Sequence, residues 1–424
     1  MPGGRPSPVT TAVVGMGGYA ARILDLLLRQ EESPDHPPRV VAVTSSAPGR
    51  HPELAARLQA HGIAIVPTYE ALLAREDVEA VWLPVPIDLH LPFLQQALAA
   101  GKPVLCEKPV AGCVDDCDRM IAMRDARLLP VAIGYQDIYE PATTTLKRRI
   151  LAGDLGAITS VTLHGVWPRD SVYFGRADWS GRLRRNGVWV LDSPVQNALN
   201  HFINLTLFLL GPAPGESAAP VAVEAELYRA NDIENYDTAS LRLRLDCGTT
   251  FLVLVTHAAA RPVHPVIRLK GEAGWAEWRF DGDITVQRHG GSAETIPHPA
   301  AEVARAAMVA RFNRLVRGVP DPDRAVASLE VARAPLIAVN GTSEAAPVVD
   351  IPAELVSVVE GAGGATTRVV AGMEDLVIRC AADGLMFHES GLAGWTVPAG
   401  RRDLAGYDHF VGPFGWPGGS AAGR

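Results

Sequence analysis

The sequence predicts an α/β chain: an N-terminal, doubly wound parallel sheet, then an α+β domain with a large, mostly antiparallel open sheet. Three observations predict it. Apolar strand-like runs alternate with helical stretches over the first 130 residues, the pattern of a parallel sheet with helical crossovers. Beyond Pro130, strand-like runs follow one another with few helices between them, as in an antiparallel sheet. A chain of 424 residues also exceeds one typical core. The expected domains are 1–130, 131–345 and a C-terminal extension, 346–424.

The first strand is expected at 9–14, followed by Gly15-Met-Gly-Gly-Tyr-Ala20 and a helix to about 29. After a loop rich in proline and acidic residues come a strand at 39–43, a helix at 53–60, a strand at 64–66 and a helix at 68–74. A strand at 80–83 runs into Pro84-Val85-Pro86, and a helix at 91–100 is closed by Gly101 before a strand at 104–106. A strand at 131–134 and a helix at 142–152 follow. The expected strands of the second sheet are 158–167, 221–229, 239–245, 250–257, 266–270 and 275–280. An apolar helix is expected at 195–210, before Gly211-Pro212, and two more helices at 302–317 and 324–340. From about Gly361 the sequence predicts short strands and a flexible Gly/Ala tail.

Hydrophobic residues make up 48% and charged residues 20%, with a formal charge of −8 and no Lys/Arg-rich run. That balance predicts a soluble globular protein without a nucleic-acid or anionic-membrane surface. No apolar run reaches the ~18 residues of a membrane span, and the N-terminus lacks an apolar signal core, so a cytoplasmic location is expected. The five cysteines, Cys106, Cys113, Cys117, Cys247 and Cys380, are odd in number and scattered. They predict neither a disulfide framework nor, lacking a His/Cys cluster, a metal site.

Gly15, Gly17 and Ala20 form G-x-G-x-x-A between a strand and a helix. The first glycine permits the tight turn. The second lets a pyrophosphate approach the backbone. The small third residue lets helix and strand pack closely. With the α/β alternation around it, the motif predicts a Rossmann dinucleotide site that includes Gly18 and Tyr19. An NAD site usually carries Asp or Glu at the end of the second strand. Here Thr44-Ser45-Ser46 stands there, with Arg50 beyond, and Asp35 lies at the strand's other end. Hydroxyls and an arginine suit a 2′-phosphate, so NADP is expected in preference to NAD.

A lysine at the carboxyl end of a parallel strand points to the cofactor crevice. Lys108, in Gly101-Lys-Pro-Val-Leu-Cys-Glu-Lys-Pro109, has that place and is one of only four lysines. An ammonium there can bond a substrate hydroxyl and stabilise a developing alkoxide. In order along the chain stand Gly15-x-Gly17, the run from Val78 to His90, Gly101-Lys-Pro103, Glu107-Lys-Pro109, Gly134-Tyr-Gln136 and residues 150–159. This series resembles the glucose–fructose oxidoreductase/inositol dehydrogenase (Gfo/Idh/MocA) family over roughly residues 9–345. The resemblance implies hydride transfer between NAD(P) and sugars or cyclitols, with Lys108 catalytic and Pro86 and Glu107 at the cofactor. The expected cofactor set is Gly15, Gly17, Gly18, Tyr19, Ala20, Ser45, Ser46, Arg50, Pro84, Pro86, His90, Glu107 and Lys108. A homo-oligomer, dimer or tetramer, built through the open sheet is expected by the same analogy.

Asn197, Asn200, His201 and Asn204 are spaced i, i+3, i+4, i+7 and share one face of the helix expected at 195–210. Members of the resembled family often read Asp-x-Gly-x-His-x-x-Asp at this place. Here His201 matches, while Asn197 and Asn204 replace both carboxylates. Asparagine orients a hydroxyl but cannot take its proton, so the expected catalytic set is Lys108, His201 as acid/base and Asn197. Asp192 is a candidate for the missing carboxylate. Tyr135, Trp167, Arg169, Tyr173, Trp179 and Asp192 are expected substrate contacts, since aromatics stack on sugar rings and arginines bind hydroxyls or anions. Two other readings stay open: a redox-neutral enzyme that keeps its NAD(P) and works through a transient keto-sugar, and a non-catalytic regulator that binds dinucleotide or sugar.

Overall fold

The computed structural model describes residues 7–33, 35–298, 301–321, 323 and 326–417; the expected Gly/Ala tail lies largely outside them. The chain divides into two compact units. One holds the described residues within 1–111, 116–144 and 300–332, the other those within 112–115, 145–299 and 333–424. The expected breaks at 130 and 345 follow chain order, whereas each unit is discontinuous.

In the first unit, β1 (Val9–Val14), β2 (Pro38–Thr44), β3 (Ala64–Val66), β4 (Ala80–Leu83), β5 (Val104–Cys106) and β6 (Val131–Ile133) form one sheet in the order β3-β2-β1-β4-β5-β6. Every pairing is parallel. Nearly all of β1 and all of β4, β5 and β6 are buried, as a sheet covered on both faces requires. The helix Tyr19–Gln30 buries Ala20, Ile23, Leu24, Leu26 and Leu27, the 3.6-residue stripe of an amphipathic helix. Chain order reverses between β1 and β4, and ligands of such sheets bind at that point, beyond the carboxyl ends of the strands.

In the second unit, β7 (Ile158–Val166) is followed by a small hairpin, β8 (Arg184–Arg185) and β9 (Val188–Trp189). Then come β10 (Pro220–Arg229), β11 (Thr238–Leu245), β12 (Thr250–Thr256), β13 (Val263–Gly271), β14 (Gly274–Arg279), β15 (Ile284–Arg288), β16 (Glu294–Ile296) and β17 (Val348–Asp350). A second hairpin, β18 (Val356–Glu360) and β19 (Thr366–Val370), precedes β20 (Gly400–Asp403). The main sheet has ten strands in the order β16-β15-β14-β13-β7-β12-β11-β10-β17, with β20 against β10. Only β7–β12 and β10–β17 pair in parallel.

Several elements differ from expectation, among them three helical ones. The helix expected at 324–340 is Leu329–Ala345, because the Ser328 hydroxyl accepts the Val331 amide and starts it there. The single helix expected at 195–210 is a π-turn, Pro194–Ala198, and then an α-helix, Asn200–Leu210. The Leu199 amide reaches back to the Pro194 carbonyl, and Ser193 caps the turn at the Gln196 amide. The extension also contains an unexpected helix, Met373–Asp383. Its buried Met373, Leu376, Val377 and Cys380 stand at i, i+3, i+4 and i+7, between the left-handed residues Gly372 and Gly384. That signal was present in the sequence.

The extension covers part of the ten-stranded sheet. A Cβ on Gly165 would touch Leu199 on one face. The next residue, Val166, packs on the other face with Leu252, Leu254, Val377 and Phe387, as the period of 2 along a strand requires. Glu226, 1% exposed, accepts hydrogen bonds from the Tyr228 hydroxyl at 2.6 Å and His388 Nδ1 at 2.8 Å. Glu389 pairs with Arg242. Phe387-His-Glu-Ser390 therefore packs on its own sheet. Among the described residues no helix is long and apolar enough to cross a membrane.

Candidate active site

The parallel register brings the chemistry-bearing loops of the first unit to one edge. After β1, Gly15 has φ 96° and Gly18 φ 55°, conformations that side chains resist. The Gly15 amide donates to Thr44 Oγ1 at 2.9 Å, which ties the loop to the end of β2. A Cβ on Gly17 would lie 2.9 Å from His51 Nε2. No side chain caps the helix Tyr19–Gln30, so its first amides are left for an anion. These features fit a dinucleotide pyrophosphate. Ser46 and Arg50 stand exposed after β2, while Ser45 Oγ accepts the Ala47 amide at 3.3 Å.

Glu107-Lys108-Pro109 follows β5 on the same edge. Glu107 is buried, and its Oε1 accepts Trp82 Nε1–H at 3.1 Å. A Cβ on Gly134 would stand 2.7 Å from Glu107 Oε2, so glycine after β6 makes room for this carboxyl. Burial pushes Glu107 up to about 7, against the Trp82 hydrogen bond and the Lys108 charge. The Glu107 charge in turn raises the Tyr19 phenol, with burial adding and Arg305 opposing. Arg305, on the helix Ala301–Val316, was not expected here. Its local sequence carries no mark of the site. Lys108 is half-buried, as are Pro84 and Pro86.

Two expected contacts are corrected. His90 is buried, with Nε2 2.9 Å from the Val85 carbonyl and Nδ1 3.1 Å from the Val110 carbonyl. With a carbonyl lying against each ring nitrogen, it is packed between the loop after β4 and the residue after Pro109 and has no nitrogen open to a cofactor. Burial also lowers its pKa. Tyr135 is 1% exposed and its phenol is raised by burial; it is a core residue, not an open substrate contact.

In the second unit, Asn197 Nδ2 donates to Asp192 Oδ1 at 2.8 Å, and the Gly181 amide donates to Asp192 Oδ2 at 2.7 Å. Asp192 is thus a buried carboxylate bonded to the asparagine that stands in a carboxylate's place. Asn200 donates to the Val195 carbonyl at 2.7 Å, and both Asn200 and Asn204 are buried. Of the expected polar stripe only Asn197 and His201 keep some exposure, because the π-turn breaks its regular spacing. Trp167 packs edge-on against Phe202 and Phe280. Trp179 lies under the Arg176 guanidinium, and Tyr173 under those of Arg169 and Arg176.

Lys147 anchors the far end of the His201 helix. Its ammonium is buried and donates to the carbonyls of Phe208, Gly211 and Glu216 at 2.5, 2.6 and 3.3 Å. A cation there satisfies orphan carbonyls and complements the helix dipole.

His257, which the sequence did not single out, is buried with Nδ1 2.8 Å from the Trp167 carbonyl. Burial, with the charge of Arg169, depresses it to about 3. The folded protein therefore holds it neutral while the unfolded chain protonates below about 6.5. Its stabilising contribution is complete above that pH and is lost as pH falls toward 3. We expect about 2 kcal/mol to be lost between pH 7 and pH 5 from this residue. Urea unfolding at the two pH values measures it; an equal pH dependence in His257→Gln would refute the assignment.

Two family profiles match the chain. One is described as an oxidoreductase family with an NAD-binding Rossmann fold and matches residues 9–135; the other is described as a GFO/IDH/MocA C-terminal domain and matches residues 143–277. The chain is 33% identical to a dTDP-3,4-didehydro-2,6-dideoxy-alpha-D-glucose 3-reductase of Streptomyces violaceoruber, over 68% of this chain and 76% of the reductase. It is 24% identical to an inositol 2-dehydrogenase of Rhizobium meliloti (strain 1021), over 61% of this chain and 73% of the dehydrogenase. Its fold is similar to that of the WlbA dehydrogenase from Bordetella pertussis, solved with NADH and UDP-GlcNAcA. That match has a TM-score of 0.63 at 20% identity, over 79% of this chain and 95% of the other.

Proposed function

The chain belongs to the Gfo/Idh/MocA family of oxidoreductases, and from that premise we propose that it transfers hydride between NADP(H) and a secondary alcohol or ketone of a sugar, sugar derivative or cyclitol. The observation that carries this reading is Glu107-Lys108-Pro109 after β5, on the sheet edge where the glycine loop ends β1. Gly15, Gly17, Gly18 and the first amides of the helix Tyr19–Gln30 hold the pyrophosphate. Lys108 bonds the reacting oxygen and stabilises alkoxide charge. His201 takes or returns the hydroxyl proton, and Asn197, bonded to Asp192, orients the substrate.

Residues 44–52 contain no carboxylate for a ribose 2′-hydroxyl, and the exposed Ser46 and Arg50 suit a 2′-phosphate. Arg50→Ala is expected to weaken NADPH about ten-fold and leave NADH unchanged, as read by cofactor fluorescence titration. Equal effects on both cofactors would remove the NADP preference. The reaction itself is tested by following nicotinamide absorbance with a dTDP-linked keto sugar and with myo-inositol. Net turnover of one of them is expected; failure to bind either dinucleotide would overturn the reading.

A further inference from the structure

The segment between β7 and the π-turn is rich in arginines, and their charges are not all balanced. Arg182 pairs with Glu234, and Arg185 Nε lies 2.9 Å from Asp178. Arg169 has no carboxylate within ion-pair distance among the described residues, and its buried Nε has no hydrogen-bond partner there. The nearest carboxylate to Arg176 is Asp192, at 3.9 Å. Asp192 is already bonded to Gly181 and Asn197. Asp170 caps the helix Ser171–Gly175 at the Tyr173 amide and is equally committed.

Both guanidinium groups lie on aromatic rings. Arg169 Cζ is 4.6 Å from the Tyr173 centroid and 5.6 Å from that of Trp167. Arg176 Cζ is 3.5 Å from the Tyr173 centroid and 4.8 Å from that of Trp179. Contact over a ring engages the face of a planar guanidinium; Arg176 Nη1 already donates to the Tyr173 carbonyl at 2.5 Å, and the remaining in-plane N–H groups of the two arginines can bond an oxyanion. The platform is pinned by the extension: the Thr366 amide donates to Ser171 Oγ at 3.0 Å, and Asp170 bridges to Thr367. It is also continuous with the proposed site, since Asp192 joins Arg176 to Asn197. The Arg169 and Arg176 charges both help to hold His257 neutral, so the local field is positive.

We infer that Arg169 and Arg176 together hold an oxyanion of the substrate, a carboxylate of an acidic sugar or a phosphate of a nucleotide sugar, and so select anionic over neutral sugars. The inference rests on the sugar-oxidoreductase reading above and gives its substrate a charge. Each arginine supplies a charge-assisted hydrogen bond, so losing one should weaken the anion about ten- to a hundred-fold.

The test is calorimetric titration of the full chain, with NADPH bound, by UDP, by glucuronate and by myo-inositol. The wild type should bind UDP or glucuronate at least ten-fold more tightly than myo-inositol, and added salt should weaken the anion alone. Preference for UDP identifies a nucleotide diphosphate, preference for glucuronate an acidic sugar. Arg169→Gln and Arg176→Gln should each lose most of that preference and keep wild-type affinity for NADPH, which serves as the control for folding. Arg176→Lys should recover part of it. Wild-type anion affinity in both Gln variants overturns the inference, as does a wild-type protein that binds NADPH but prefers neither anion. Failure of NADPH binding in the wild type overturns the oxidoreductase reading instead.

Discussion

Lys108→Ala is expected to lower kcat by about three orders of magnitude and to leave the NADPH dissociation constant within about two-fold. The residue follows β5, at the edge where parallel strands present their carboxyl ends, and its neighbour Glu107 is held rigidly by Trp82 and by the space at Gly134. Alanine removes the only ammonium of that turn without disturbing the glycine loop on β1. Its effect should therefore fall on the chemical step and spare binding. Lys108→Arg should restore little activity, because a planar, longer guanidinium keeps the charge but cannot place a donor where the compact ammonium meets the reacting oxygen. Single-turnover rates and fluorescence titration separate the two quantities. A variant whose kcat stays within ten-fold of wild type would remove Lys108 from the mechanism.

Lys147→Met is the substitution from which we expect the largest loss of stability, about 3 kcal/mol or more. Methionine fills much the same space, so the cost isolates the hydrogen bonds. Of the three carbonyls that now accept from one ammonium, that of Phe208 would keep the Gly211 amide as a donor, while those of Gly211 and Glu216 would lose the donor they now have. Because two of them, Phe208 and Gly211, close the helix that begins at Asn200, fraying should reach toward His201. Chemical denaturation followed by far-UV circular dichroism measures the first effect, and hydrogen exchange along 200–211 the second. Exchange there unchanged from wild type would show that the helix is held by its apolar packing alone.

Much of the first unit was legible because its signals are local. β1, β3, β4 and β5 stand where alternation of apolar runs with helices predicts them. The turn residues Gly15, Gly17 and Ala20 are interpretable within six positions of one another, and Lys108 is marked by the strand it follows. His90 shows the limit. Its position next to the β4 loop suggested a cofactor contact, but whether its ring nitrogens are open depends on two carbonyls, at Val85 and Val110, that only folding brings to it. Tyr135 failed as a substrate contact for the same reason: burial is a property of the packed unit.

The second unit was less legible where function gathers. Helical spacing grouped four polar residues, yet the π-turn and the apolar packing around Asn200 and Asn204 leave only Asn197 and His201 partly open. The pairing of Asp192 with Asn197 spans five residues and was open to a guess. The stacking of Arg169 and Arg176 on one tyrosine, and the burial of His257 beside them, were not. Residues 9–345 by themselves determined the family, the fold class and the nature of the nucleotide loop, because periodicity, turn chemistry and motif spacing are written along the chain. Tertiary structure alone decided which polar side chains face solvent, which charges stay unbalanced and what the C-terminal extension covers. Those properties depend on groups far apart in sequence, whose desolvation and pairing exist only once the chain has packed.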